Sequence, residues 1–172
     1  MLDLRRATLA DLPALLRLVN RAYRPAQGEG GWTHESALLR GERINLDQLS
    51  ALVAGPGEVW LGGRAGVLLA CVYVEPGPDH GYVGMLAVEP ACQDGGLGSA
   101  MLACAEARLR DVHGLPLARM SVISARPELR AFYLRRGYQP TGERLPFPMD
   151  AGAGRLLQPG LALEVLQKPL IS

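Results

Sequence analysis

Residues 82–100 read Tyr82-Val83-Gly84-Met85-Leu86-Ala87-Val88-Glu89-Pro90-Ala91-Cys92-Gln93-Asp94-Gly95-Gly96-Leu97-Gly98-Ser99-Ala100. An apolar run passes into a glycine-rich turn, and helical spacing resumes at Leu97, Met101, Cys104, Ala105, Leu109 and Val112. A strand ending in such a turn and opening a helix aims several unpaired backbone N–H groups, and the positive end of the helix dipole, at one point. Phosphate or pyrophosphate suits that point, and glycine keeps side chains out of its way. On glycine content alone, a tight turn that serves geometry only reads equally well. Two common phosphate-binding turns are excluded. A Rossmann turn needs Gly or Ala where Met101 stands, and a P-loop needs Gly-Lys-Ser/Thr, which this turn lacks.

Working outward, the 21 Gly and 13 Pro of the 172 residues punctuate the remaining elements. Upstream, residues 58–61, 67–75 and 82–89 are apolar runs separated by turns at 62–66 and 76–78, which predicts an antiparallel meander. Residues 2–7 predict a short strand, and Thr8-Leu9-Ala10-Asp11 a helix-start box. Leu12, Leu15, Leu16, Val19 and Tyr23 then follow at helical spacing, giving a helix to about Ala22 with Pro13 in its first turn. A mobile loop at 24–31 and two short helices at 33–40 and 46–53 complete the first third. Downstream, Gly114 stands where a C-cap glycine belongs, and 117–123 predicts a strand. Pro127 opens a helix whose buried face is Leu129, Phe132 and Tyr133, and Gly137 ends it. Tyr138 begins a strand, a Pro- and Gly-rich loop spans about 143–160, and 161–168 predicts the closing strand. The order β-α-α-β-β-β-α-β-α-β-β, without repeats or a long linker, is a single mixed α/β domain over 1–172.

Lys plus Arg is 18 and Asp plus Glu 17, a net charge of +1, which gives no support to a nucleic-acid partner. The longest apolar stretch, 67–74, is too short to span a bilayer, so no membrane partner is expected. No secretory signal is visible at the start of the chain. Cys71, Cys92 and Cys104 are odd in number and lack C-x-x-C spacing, and His34, His80 and His113 are scattered. These argue against a disulfide framework or a metal site and fit a reducing, cytoplasmic setting.

Gln93-x-x-Gly96-x-Gly98, after a strand ending Leu86-Ala87-Val88-x-Pro90, resembles the acetyl-CoA signature of the GCN5-related N-acetyltransferases (GNAT superfamily). Some thirty residues on, Leu129-Arg130-Ala131-Phe132-Tyr133-Leu134-Arg135-Arg136-Gly137-Tyr138 is similar to that family's second signature. The resemblance covers nearly the whole chain. It implies a mixed, mostly antiparallel sheet with a central splayed parallel pair (82–89 beside 117–123) and about four helices. It further implies that acetyl-CoA, as acetyl donor, lies in the splay, which a bulge in the first of these strands would open. Its pantetheine arm would pair with main chain at Leu86, Ala87 and Val88, and its pyrophosphate would sit on N–H groups of Gln93, Asp94, Gly95, Gly96, Leu97, Gly98 and Ser99.

The implied reaction is direct attack of a primary amine, from a small molecule or a peptide, on the thioester through a tetrahedral intermediate. A backbone N–H near Leu86 would polarise the carbonyl. By resemblance, Tyr133 is the proton donor to the departing thiolate, and a phenol (pKa about 10) stays protonated at neutral pH. Tyr133 also reads as a core aromatic. Many relatives carry a carboxylate two residues before the Leu86-like position, where this chain has Gly84. The base is then Glu75, His80, Tyr82, Glu29, Glu35 or water. Arg126 replaces an Asn that bonds the cofactor in many relatives, and reads either as a CoA contact or as a helix cap. The acceptor would be lined by loops at 24–35 and 143–160, with Trp32, Glu35, Tyr82 and Phe147 as substrate-binding candidates. A CoA-binding sensor module without catalysis is the alternative, resting on the missing carboxylate. Oligomeric state is not readable, a homodimer being the commonest soluble assembly.

Overall fold

The computed structural model describes residues 2–23, 39–40, 44–123, 126–146, 155–156 and 162–171. In chain order the strands are β1 (Asp3–Arg6), β2 (Leu39–Arg40), β3 (Glu58–Arg64), β4 (Val67–Pro76), β5 (Gly81–Val88), β6 (Leu117–Ile123), β7 (Gln139–Pro146), β8 (Arg155–Leu156) and β9 (Ala162–Pro169). Seven of them form one sheet in the order β1-β3-β4-β5-β6-β9-β7, and β2 pairs with β8 in a separate ribbon. Helices α1 (Leu12–Tyr23) and α2 (Leu46–Ala54) cover one face, and α3 (Leu97–Ala107) and α4 (Pro127–Arg135) the other.

Local signals behave as the residue types dictate. Thr8 and Asp11 form a capping box, with the Thr8 N–H donating to Asp11 Oδ2 at 2.8 Å, and Arg5 clamps the same carboxylate at 2.7 and 2.8 Å. The box opens a short 3-10 turn, and α1 follows it, burying Leu15, Leu18, Val19 and Ala22. Asn45 and Gln48 make a second box at the start of α2. Helix α3 runs into a π turn over Arg108–Val112, and Gly114 follows at φ 66°, the left-handed conformation that ends helices.

Three expectations change. The turn at 62–66 shrinks to Ala65 and Gly66, both at positive φ, in a two-residue hairpin; Gly62 and Gly63 lie inside β3 at a bulge. Residues 39–40, read as the end of a helix, are a strand, because pairing with Arg155 and Leu156 satisfies their backbone. The loop expected from about 143 also begins later, since β7 runs to Pro146 beside β9.

The sheet is antiparallel except between β5 and β6. That parallel pair holds register for only two steps, Gly81 with Ala118 and Tyr82 with Arg119. Beyond them β6 stays paired to β9 through Ile123, and β5 stays with β4 through Val88. The two strands therefore part toward their C-terminal ends. The cause lies in β5, where the register against β4 slips between Cys71 and Tyr73 and Met85 sits at φ 51°. One extra residue flips the alternation. Val83, Leu86 and Val88 face α3 and α4, whereas Met85 and Ala87 face α1 and α2.

Candidate active site

The parting of β5 and β6 creates a cleft, and three elements supply its walls. A small pocket of about 30 Å³ within it is lined by Tyr23, Leu86, Val88, Gln93, Gly98, Leu129, Phe132 and Tyr133. Leu86, Val88, Gln93, Gly98 and Tyr133 are site candidates by sequence; Leu129 and Phe132 belong to the second signature and to an apolar face, and Tyr23 reads only as apolar face.

The bulge orients the main chain of Leu86. The Met85 carbonyl accepts a hydrogen bond from the Cys71 thiol on β4 at 3.4 Å. Because the Met85–Leu86 peptide is trans, the Leu86 N–H points away from that thiol. The Leu86 carbonyl accepts from the Tyr23 hydroxyl at 2.5 Å. Left-handed backbone at a non-glycine residue costs about 1–2 kcal/mol, so Met85 holds this geometry only because its neighbours impose it.

Tyr133 stands opposite, on α4, with only 5% of its surface exposed. Its ring meets those of Phe132 and Tyr138 edge-on, at 5.2 and 6.0 Å. Burial is the main cause that pushes its phenol pKa far above the ordinary value; Tyr23 and Tyr82 add to the rise, and Arg126 and Arg136 oppose it. The group is therefore a neutral O–H at any working pH. Arg126 occupies the N-cap position of α4 and is 2% exposed, yet its side chain makes no capping hydrogen bond. Its backbone carbonyl accepts from the Arg130 N–H at 3.1 Å, and its charge opposes the rise of the Tyr133 pKa.

The glycine-rich turn is more structured than its sequence suggests. Pro90–Gly95 forms a 3-10 helix, whose ladder uses its own N–H groups, and Gln93 Nε2 donates to the Val88 carbonyl at 3.3 Å. Gly96 then takes φ 79°, with open space where a Cβ would be, and α3 starts without any side-chain cap. The N–H groups at the mouth are those of Leu97, Gly98 and Ser99, the first turn of α3. Gly98 approaches Phe132 so closely that a Cβ would lie 3.3 Å from its ring. Arg136 adds a positive charge beside this turn. It donates to Ser99 Oγ from Nε at 2.8 Å and to the Phe132 carbonyl at 2.8 Å, and lies over the Phe132 ring 3.6 Å from its centre. From Ser99 a groove of about 480 Å³ runs along α3 past Leu102, Ala103, Glu106, Arg135, Arg136 and Lys168. Uncapped N–H groups, a nearby guanidinium and an unpaired stretch of β5 edge fit a long thioester with a pyrophosphate in its middle.

The place where a carboxylate was absent also has a structural explanation. A Cβ on Gly84 would lie 2.7 Å from the ring of Tyr82, which folds back over it. Tyr82 is 38% exposed and meets Tyr73 edge-on at 6.4 Å. In register, Tyr73 faces Gly84 and Glu75 faces Tyr82. Burial, then Glu75, raises the Tyr73 phenol pKa. Glu75 and Tyr82 therefore belong to one cluster on the α1 face. His80 instead sits in a surface turn, 2.6 Å from Asp79. Trp32, Glu35 and Phe147, with Glu29, lie outside the described residues.

A family model described as acetyltransferase (GNAT) family matches residues 12–138. The chain is 33% identical over 146 residues to an amino-acid acetyltransferase of Azotobacter vinelandii, covering 83% of this chain and 29% of that protein. It is 31% identical over 134 residues to a mycothiol acetyltransferase of Salinispora tropica, covering 69% of this chain and 43% of that protein. The chain thus spans less than half the length of these curated relatives. Among solved structures, the ribosomal-protein-S18-alanine N-acetyltransferase of Escherichia coli superimposes with a TM-score of 0.74 at 17% identity, over 100% of this chain and 96% of that one. A GNAT family acetyltransferase from Elizabethkingia anophelis, solved with acetyl-CoA bound, superimposes with a TM-score of 0.70 at 13% identity, over 98% and 97%. Acetyl-CoA is the acetyl donor of this family. The splayed parallel pair, the bulge at Met85 and the matched segment agree, and the chain belongs to the acetyltransferase (GNAT) family.

Proposed function

We propose that residues 1–172 form a single N-acetyltransferase domain, which moves acetyl from acetyl-CoA to a primary amine of a small molecule or peptide by direct attack. The observation that carries this reading is that Leu86, beside the bulge, and Tyr133 line one pocket where β5 parts from β6. The Leu86 N–H is a donor for the oxygen that gains charge as the tetrahedral intermediate forms. The Tyr133 hydroxyl, kept neutral by burial, is a proton source for the leaving thiolate. Leu86 to Val88 offer main chain to the pantetheine arm, and Leu97, Gly98 and Ser99 offer N–H groups to the pyrophosphate, with Arg136 adding charge beside them. Arg126 acts on the Tyr133 side of the cleft.

For the base, we favour Glu75 through the Tyr73 and Tyr82 phenols, since this is the cluster that fills the place over Gly84. Trp32, Glu35 and Phe147 complete the acceptor side in this reading. Incubating purified protein with acetyl-CoA and a panel of amines, and following free CoA with a thiol reagent, tests it. Release above background with at least one amine is expected. Tight acetyl-CoA binding without turnover on any amine overturns it in favour of a sensor module.

A further inference from the structure

Tyr23 closes α1, one residue before the segment expected to carry the acceptor loop, and nothing in the sequence separates it from the helix's apolar face. In the structure it keeps that packing and takes on a second role. Its hydroxyl crosses to β5 and donates to the Leu86 carbonyl, and its ring lines the pocket shared with Tyr133. Within one strand residue, the N–H and C=O project to the same side, so the atom Tyr23 holds belongs to the residue whose N–H points away from Cys71. The Cys71 thiol holds the preceding carbonyl, of Met85, from the opposite side. The two donors grip the carbonyls on either side of Leu86, at the bulge where Met85 takes φ 51°.

We propose that Tyr23 is a positioning residue for acyl transfer, fixing the Leu86 main chain so that its N–H aims at the thioester oxygen. This deepens the acetyltransferase reading and rests on it. A regular β5 would alternate its main-chain groups between β4 and β6; the bulge breaks that alternation and leaves Leu86 without the ladder that normally sets a peptide's direction. A phenol on a packed helix supplies the missing constraint at little entropic cost, because its ring is already held by packing. Helix α1 has a second tie just past the end of β5, the Arg21–Glu89 ion pair at 3.3 Å, and its apolar face packs on the sheet, so docking of the helix does not depend on the hydroxyl.

Tyr23→Phe removes the hydroxyl and keeps the ring. Its kcat is expected to fall about tenfold, less than the hundredfold or more typical of deleting an oxyanion donor outright. The acetyl-CoA dissociation constant, measured by calorimetry, is expected to stay within about twofold, since the uniform binding contacts are untouched. In the free protein, the amide resonances of Leu86 and Ala87 are expected to shift on substitution. Arg21→Ala, which loosens α1 without touching Leu86, should leave kcat within about twofold. Unchanged kcat in Tyr23→Phe overturns the proposal, and so does tighter acetyl-CoA binding, which would make the hydroxyl a competitor for the strand edge. An equal loss in Arg21→Ala overturns it too, reducing Tyr23 to helix docking. A wild-type protein that never releases CoA overturns the acetyltransferase reading itself, and is told apart because the fault then precedes any substitution.

Discussion

Glu58 anchors the end of the sheet far from the cleft, and acid should undo it in a calculable way. Its carboxylate is 4% exposed at residue level and takes two hydrogen bonds from Arg108, at 2.8 and 3.0 Å. Trp60 Nε1 donates at 2.8 Å, and His113 Nε2 lies at 2.9 Å. The Arg108 guanidinium, foremost, holds the carboxyl pKa down from an ordinary 4.5 to about 2, against the opposing effect of burial. A depressed carboxylate adds stability above its unfolded pKa and loses it as pH falls through the folded one. At about 1.4 kcal/mol for each pH unit, the fall from 4.5 to about 2 is worth about 3 kcal/mol. Glu58→Gln mimics the protonated side chain. At pH 7 it should be less stable than wild type by about 3 kcal/mol, and the gap should close as pH approaches 2. Urea unfolding at several pH values measures both curves. Asp11, whose carboxyl Arg5 also holds far below its ordinary range, remains in both proteins and drops out of the comparison. A gap that stays constant from about pH 7 to about 2.5 would refute the reasoning. It would mean that the amide of the Glu58→Gln variant costs packing rather than charge.

The remaining expectations concern the cleft. Tyr133→Phe should lower kcat by about 10²–10³ with stability almost unchanged, because a ring in the same place keeps its contacts with Phe132 and Tyr138. In the wild type, the raised phenol pKa means that this donor imposes no decline in rate up to pH about 10, which a pH–rate profile checks. Gly96→Ala forces a side chain into φ 79° and should cost about 1 kcal/mol in thermal unfolding, with weaker CoA binding in titration. Glu75→Gln should slow turnover at least about tenfold while leaving the acetyl-CoA KM unchanged, if the Tyr73–Tyr82 cluster carries the amine proton; equal rates would return that role to water.

The elements that chemistry-bearing residues stand on were legible because their signals are local. Capping pairs, glycines at positive φ and apolar periodicity all act within a turn or two, and α3, β6 and α4 fall where those signals put them. The site's contents were less legible. Tyr23 and Leu86 are 63 positions apart, and no spacing rule connects a helix-end phenol to a carbonyl on a strand. Cys71 carries no sequence signal beyond its lack of C-x-x-C spacing, yet it is buried and its thiol holds the Met85 carbonyl. Gly84 reads as a missing carboxylate; only the structure shows the Tyr82 ring lying over the space a side chain would take.

The residue pattern alone thus determined the α/β order apart from the β2–β8 ribbon, and the glycine turn ahead of α3, since each follows from backbone preferences and nearest neighbours; the candidacy of Tyr133 rests on the resemblance of 129–138 to the family's second signature. Tertiary structure decided where β5 leaves β6, which way the Leu86 N–H points and what surrounds the Tyr133 phenol. Those depend on an extra residue in one strand being held by donors from another strand and from a helix. Such a grip exists only after distant segments have packed, so no local pattern carries it.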